Sequence, residues 1–403
     1  MTSTSRVARV FYRRIPGPHA SGGGRRGRRY PRGKTVDTRT GITLVTRLAI
    51  QRLTFLRAAE KRRLAAALSG GVDFASLGFS GLELIAGRLL RTRSWNPAAV
   101  LEAARHDEEL LASRDIRLVL EEDPEYPPLL REIHDPPWAL FMRGARLDHA
   151  MPAIAIVGTR SATGLGEGVA RDFASRSSLA GLPVVSGLAR GIDAAAHRGA
   201  LAAKRRNPGA APTIAVLPVG IDSVYPPSNR GLAGAILESG GCLVSEYPPG
   251  DTALTFRFPE RNRVIAGIAR GTLVVEAPAG SGALITSAHA LDAGRDVFVA
   301  RALLGGPMNA GADRLATEGA LALGEAGELL ADWGLGSPAA ESPGSRDEGF
   351  ASRRFAEDDF LAAALRSELG LDLATRTMSI DTPPLATADE MDGPGRSGGA
   401  LRG

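Results

Sequence analysis

Ala153-Ile154-Ala155-Ile156-Val157-Gly158-Thr159-Arg160-Ser161-Ala162-Thr163-Gly164 opens with an unbroken apolar run and turns at a glycine. A run that is apolar on both faces suits a strand inside a parallel sheet, where helices cover each side. Leu165–Ala180 follows and is long enough for one such helix. The unit then recurs, with strands expected at Pro183–Ser186, Thr213–Val219, Cys242–Glu246, Thr272–Glu276 and Asp296–Ala300. Segments such as Ile192–Lys204 supply the helices between them. This alternation predicts right-handed βαβ units and an α/β fold with a doubly wound parallel sheet.

Outward from this unit, assigned to 113–335, the pattern changes on both sides. Over 45–112 it is helical and predicts a small helical domain. Leu48, Leu53, Leu56, Leu64 and Leu68 fall on one helical face, and Gly70-Gly71 ends the run. Leu82–Leu90 and Pro97–Leu111 read as further helices, the second opened by Asn96-Pro97 as cap and first turn. Residues 1–44 are rich in Arg, Gly, Pro and Ser and predict a disordered basic arm. Residues 336–403 predict a mostly disordered acidic tail, with a short helix possible only over Asp358–Leu369.

Charge follows the same division. The arm holds 11 basic residues against one acid, Asp37, and the tail 7 against 12, so the remaining body is neutral. The basic balance of the chain therefore says nothing about what its folded body binds; the arm could add non-specific phosphate attraction or be a plain solvated extension. A single cysteine, Cys242 in an apolar run, excludes an internal disulfide and a Cys-rich zinc site. No apolar stretch of about 18 residues suits a membrane span. The basic amino terminus lacks the apolar segment of a secretion signal, and a cytoplasmic protein is expected.

In an open parallel sheet, ligands bind at the carboxyl ends of the strands, beside helix amino termini. Those loops are rich in glycine and arginine: Val157-Gly158-Thr159-Arg160, Ser186-Gly187-Leu188-Ala189-Arg190-Gly191, and Pro278-Ala279-Gly280-Ser281-Gly282. Several anion-ready turns on one edge suit a ligand with several phosphates, or a polynucleotide backbone. A dinucleotide fits poorly. Gly164-Leu165-Gly166-Glu167-Gly168 has the wrong spacing and lies inside a helix, and the second strand ends in Ser186-Gly187 rather than an acid for a ribose. No P-loop is present, and no cofactor or metal is expected. Between the fourth and fifth of these strands, Phe256-Arg257-Phe258-Pro259-Glu260-Arg261-Asn262-Arg263 interleaves aromatics with cations. Single strands need that pairing: flat faces for unpaired bases and charge for phosphates.

Four blocks together resemble the DprA/Smf DNA-processing family: Tyr126–Pro137, Ile156–Arg160, Ser186–His197, and Phe258–Gly267 with its Gly280–Thr286 partner. The resemblance covers about 115–325 in the family's order. It implies an extended Rossmann-like domain that binds single-stranded DNA, forms a homodimer and helps load the recombinase RecA, with no catalytic step of its own. Carried over by position, Arg160, beside Thr159, matches a phosphate-holding residue, and Gly158, Ser186, Gly187, Gly280, Ser281 and Gly282 match the small residues lining the groove. Arg190 stands where the family has Lys or Arg, and Arg230 lies near a basic family position. Phe256, Arg257 and Phe258 join the site as the aromatic block. Arg261, Asn262 and Arg263 match the core of the last motif, either as DNA contacts or as braces of the fold. Asp193 and His197 also match, and for both the structural reading is the stronger: a first-turn helix acid and a packed, hydrogen-bonded histidine.

This chain departs from the family in places. Thr255 stands where relatives often carry Lys, Ala300-Arg301 where Pro-Gly is usual, and Asp313 where Asn is common. The winged helix that often ends relatives is not legible in 336–403. Two other classes share the fold: a LOG-type nucleotide phosphoribohydrolase and a nucleotide-sensing module. The hydrolase needs a Glu shortly after its glycine turn, where this chain has Leu284-Ile285-Thr286-Ser287.

Overall fold

The structure, a computed structural model, describes residues 41–91 and 94–335. The expected arm and tail lie outside these residues, except that Ile42 is buried and the Thr43 hydroxyl caps the first helix. Four helices lead: α1 (Leu44–Arg52), α2 (Ala58–Ser69), α3 (Phe79–Ala86) and α4 (Pro97–Ser113). The apolar face read across 48–68 is shared by two helices, because the chain turns at Leu53–Leu56 before α2 begins. Asn96 caps α4 by accepting from the Ala99 amide at 3.1 Å, with Pro97 in the first turn.

Every strand expected from the apolar runs forms. The order is β1 (Ile116–Leu120), α5 (Pro128–Arg131), β2 (Ala139–Gly144), β3 (Ile154–Val157), α6 (Gly164–Leu179), β4 (Val184–Ser186) and α7 (Ile192–Arg206). It continues with β5 (Thr213–Leu217), α8 (Arg230–Glu238), β6 (Cys242–Ser245), α9 (Arg257–Ile268), β7 (Gly271–Val274) and α10 (Gly282–Asp292). The last elements are β8 (Asp296–Ala300), α11 (Ala310–Thr317), β9 (Leu321–Leu323) and α12 (Ala326–Asp332).

The strands form one sheet in the order β1-β2-β6-β5-β4-β3-β7-β8-β9. From β6 to β9 all neighbours are parallel, whereas β1 pairs with β2, and β2 with β6, antiparallel. The sequence did not announce this edge, because Arg117 interrupts the apolar pattern of β1. Its guanidinium is buried against Glu125 at 2.7 Å and donates to Gly144 O at 2.9 Å.

Helices cover both faces. Leu48, Leu64 and Leu82 of the leading helices share one apolar cluster with Phe141, Leu217 and Leu243 of the sheet. Ile154, Phe173, Ala196 and Phe298 belong to another, under α6 and α7. Met142, Val157, Val244, Ile265 and Leu284 pack on the opposite face, under α9 and α10. Strand order reverses beside β3: β4, the next strand in the chain, lies on one side of it and β7 on the other. At such a point neighbouring connections run to opposite faces, and their loops part to leave a crevice.

Candidate nucleic-acid interface

That crevice holds a cleft of about 270 Å³, lined by the end of β3 and its loop, the start of α7 and the loop before it, α9, and the loop after β7 that leads into α10. Its shape depends on glycines. A Cβ on Gly158 would stand 2.5 Å from the Ile192 side chain and 2.9 Å from Glu276 O, and one on Gly187 would meet the Arg261 guanidinium at 2.5 Å. Gly280 has φ +75, which turns the chain into Ser281, whose hydroxyl caps α10. Asn262 donates from Nδ2 to Gly282 O at 3.3 Å, tying α9 to the same turn.

The cations of the site divide into two groups. Arg257, Arg261 and Arg263 are turned into the protein. Arg261 is 5% exposed and donates to Gly187 O at 2.6 Å and to Val216 O, so it closes the cleft floor by joining two strand ends. Arg257 pairs with Asp251 at 2.6 Å and lies 4.4 Å from the Tyr247 ring centroid. Arg263 makes a two-pronged bond to Glu246 at 2.7 and 2.8 Å and lines a separate pocket against the leading helices. Arg160, Arg190 and Arg230 are exposed around the carboxyl edge. The Arg160 guanidinium lies 4.9 Å from the centroid of Phe258. Phe258 in turn meets Tyr225 edge to face, with centroids 5.3 Å apart. Phe256, one turn boundary earlier, is 49% exposed. A cation, a shared ring and a second ring thus stand in a row beside the cleft mouth.

The remaining residues organise these loops. Ser186 is buried and donates its hydroxyl to Ile156 O at 2.7 Å, and Thr159 is buried with its amide on Glu276 O at 2.7 Å. Asp193 accepts from the amides of Gly187 at 3.1 Å and Ala189 at 3.4 Å. Burial raises its pKa, and the nearby Arg261 charge opposes that shift. His197 is fully buried, with Nδ1 2.7 Å from Thr213 Oγ1. Since that hydroxyl donates to Val184 O, the imidazole donates from Nδ1. Burial, with the Arg261 and Arg198 charges, pushes its pKa down to about 3. Both residues act on the fold here.

The sequence reading passed over three contributors. Asn229 is buried and donates to Leu188 O at 2.9 Å, holding a leucine at φ +58 in the loop before α7. Tyr225, in the same Tyr-Pro-Pro-Ser-Asn stretch, supplies the second ring. Glu276 sends its carboxylate to the amino end of α6, where it accepts from the Thr163 amide at 2.8 Å. The phosphate-ready turn expected after β3 is thereby filled from within. A proline pair beside an asparagine was the available signal for the first two; Glu276 gave none.

Residues 117–334 match the family model of DNA recombination-mediator protein A. The chain belongs to the DNA recombination-mediator protein A family. The matched region contains all of the cleft and every strand, save one residue of β1. Protein Smf of Escherichia coli is 40% identical over 207 residues, which are 51% of this chain and 53% of that protein. DNA processing protein DprA of Streptococcus pneumoniae is 39% identical over 212 residues, 52% of this chain and 71% of that protein. An X-ray structure of the pneumococcal protein superposes with a TM-score of 0.57 at 30% identity, over 72% of this chain and 98% of that one. The chain spans about half the length of the Escherichia coli relative. In this member of the DNA recombination-mediator protein A family, none of the helices among the described residues is long and apolar enough to cross a membrane.

Proposed function

We propose that this chain binds single-stranded DNA along the carboxyl edge of its sheet, in the cytoplasm, as a binder and not an enzyme. The observation that carries the reading is the row formed by Arg160, Phe258 and Tyr225 at the mouth of a glycine-lined cleft. Cations take phosphates and rings take unpaired bases, whereas the bases of a duplex are stacked away from such rings. Arg190 and Arg230 extend the positive rim, and the amide-rich turn Gly280-Ser281-Gly282 borders the cleft. Arg261, Asn262 and Arg257 shape this surface from behind. Asp193, the acid in the cleft lining, and Glu276, whose carbonyl faces Gly158, are both buried and hydrogen-bonded to backbone amides, which supports binding over hydrolysis.

Protection of the strand, dimerisation and delivery to the recombinase RecA belong to the same proposal and rest on family membership. So does the division into a helical unit over 45–112 and an α/β unit over 113–335, with the former bracing the sheet. Titration with oligo-dT and with a duplex of equal length, each at two salt concentrations, tests the core of the reading. Preference for the single strand with strong salt dependence is expected; no association with oligo-dT in dilute buffer would overturn it. Incubation with nucleoside monophosphates should release no free base.

A further inference from the structure

The amino end of α6 is the place where a Rossmann-like sheet ordinarily receives a phosphate. Here Glu276, 2% exposed, reaches it from the strand end next door. Its Oε2 accepts from the Thr163 amide at 2.8 Å and lies 3.3 Å from the Thr163 hydroxyl oxygen, which itself accepts from the Gly166 amide at 3.0 Å. The space is shaped around this carboxylate: a Cβ on Gly166 would stand 2.2 Å from Oε2. Carboxylate and phosphate oxygens make the same charge-assisted bonds to helix-end amides, so the two are alternatives at one position.

We propose that Glu276 is a specificity-determining residue that occupies the single-phosphate position and so turns phosphate monoesters away. A terminal phosphate carries close to two negative charges near neutral pH, whereas a phosphodiester carries one. The fixed carboxylate therefore repels a mononucleotide more strongly than an internal linkage of a strand. The outer rim of Arg160, Arg190 and Arg230, with the turn at Gly280, is left for an anion. Exclusion of a lone phosphate stands on this geometry alone; its use in favouring a polymer rests on the single-strand reading above.

Wild type and Glu276→Ala are compared by calorimetric titration with inorganic phosphate and with adenosine monophosphate, and by melting temperature in phosphate against chloride of equal ionic strength. The variant is expected to bind phosphate at least about tenfold more tightly than wild type, and to regain melting temperature in phosphate while wild type does not. Equal affinity in both, or no phosphate effect on the variant, would overturn the proposal. Should Glu276→Ala fail to fold, the wild type still decides: its Thr163 and Gly166 amide resonances must stay unmoved by either ligand, and a saturable shift would be contrary evidence. Glu276→Gln, which keeps shape and an acceptor, should admit phosphate more than wild type does and less than the alanine variant; no gain over wild type would overturn the charge argument. Oligo-dT binding by the wild type is measured alongside, so a failure of the single-strand reading shows itself separately.

Discussion

Arg160 and Phe258 lie 98 places apart in the chain, yet the fold sets the charge over the ring. With its guanidinium 4.9 Å from the ring centroid, Arg160 is held at the rim of the cleft. Arg160→Ala should weaken oligo-dT binding by about tenfold and reduce the salt slope by about 0.7, as expected for one lost phosphate contact on a single strand. Gel-shift titration at several salt concentrations measures both. Phe258→Leu keeps the bulk but removes the shared ring, with an expected loss of about 1–3 kcal/mol in binding at an unchanged salt slope; a changed slope with intact affinity would contradict the assignment. A different residue-scale effect comes from His197 and His289, whose pKa values burial holds down to about 3 and about 4. The folded imidazoles stay neutral while the unfolded chain gains protons below about pH 6.5, so stability is full above that value and falls as pH drops toward the folded values. At about pH 5 the His197 contribution amounts to a loss of about 2 kcal/mol relative to neutral pH. Urea midpoints at the two pH values check it.

At the scale of elements, glycines separate close approach from open space. On α7, a Cβ at Gly199 would stand 2.1 Å from Arg171 O of α6, so the two helices meet backbone to side-chain-free backbone. Gly199→Ala must push them apart and should cost about 1–3 kcal/mol. Gly168 on α6 has nothing within 4 Å of the same construction. Gly168→Ala should stabilise the helix by about 0.5–1 kcal/mol, because glycine gives up more backbone freedom on folding. Denaturation midpoints that moved both variants in one direction would contradict this. The elements themselves were legible where burial was two-sided: β3 to β8 showed as apolar runs because parallel strands are covered on both faces. β1 and β2 were not, since Arg117 is satisfied by Glu125 and by the carbonyls of Gly144 and Ala145, partners that no local pattern reveals.

Across the whole molecule, the leading helices and the sheet share apolar packing, including Leu48 and Leu64 against Phe141 and Leu243. A chain beginning at 113 would expose that surface and should bind a hydrophobic dye and aggregate, whereas one beginning at 41 should fold as the full chain does. If residues 1–40 assist through their charge, removing them should weaken oligo-dT binding mainly at low salt; equal affinity at every salt concentration would dismiss the arm. The α/β class and the family were legible in the chain alone, because hydrophobic periodicity and turn chemistry are local properties of a chain. Which arginines face outward, and which acid fills the end of α6, followed from the folded arrangement. Arg257, Arg261 and Arg263 are written like Arg160 but find their partners in Asp251, Gly187 and Glu246. Which way a charge points depends on the groups that folding brings beside it, and that neighbourhood does not exist until the strands are aligned.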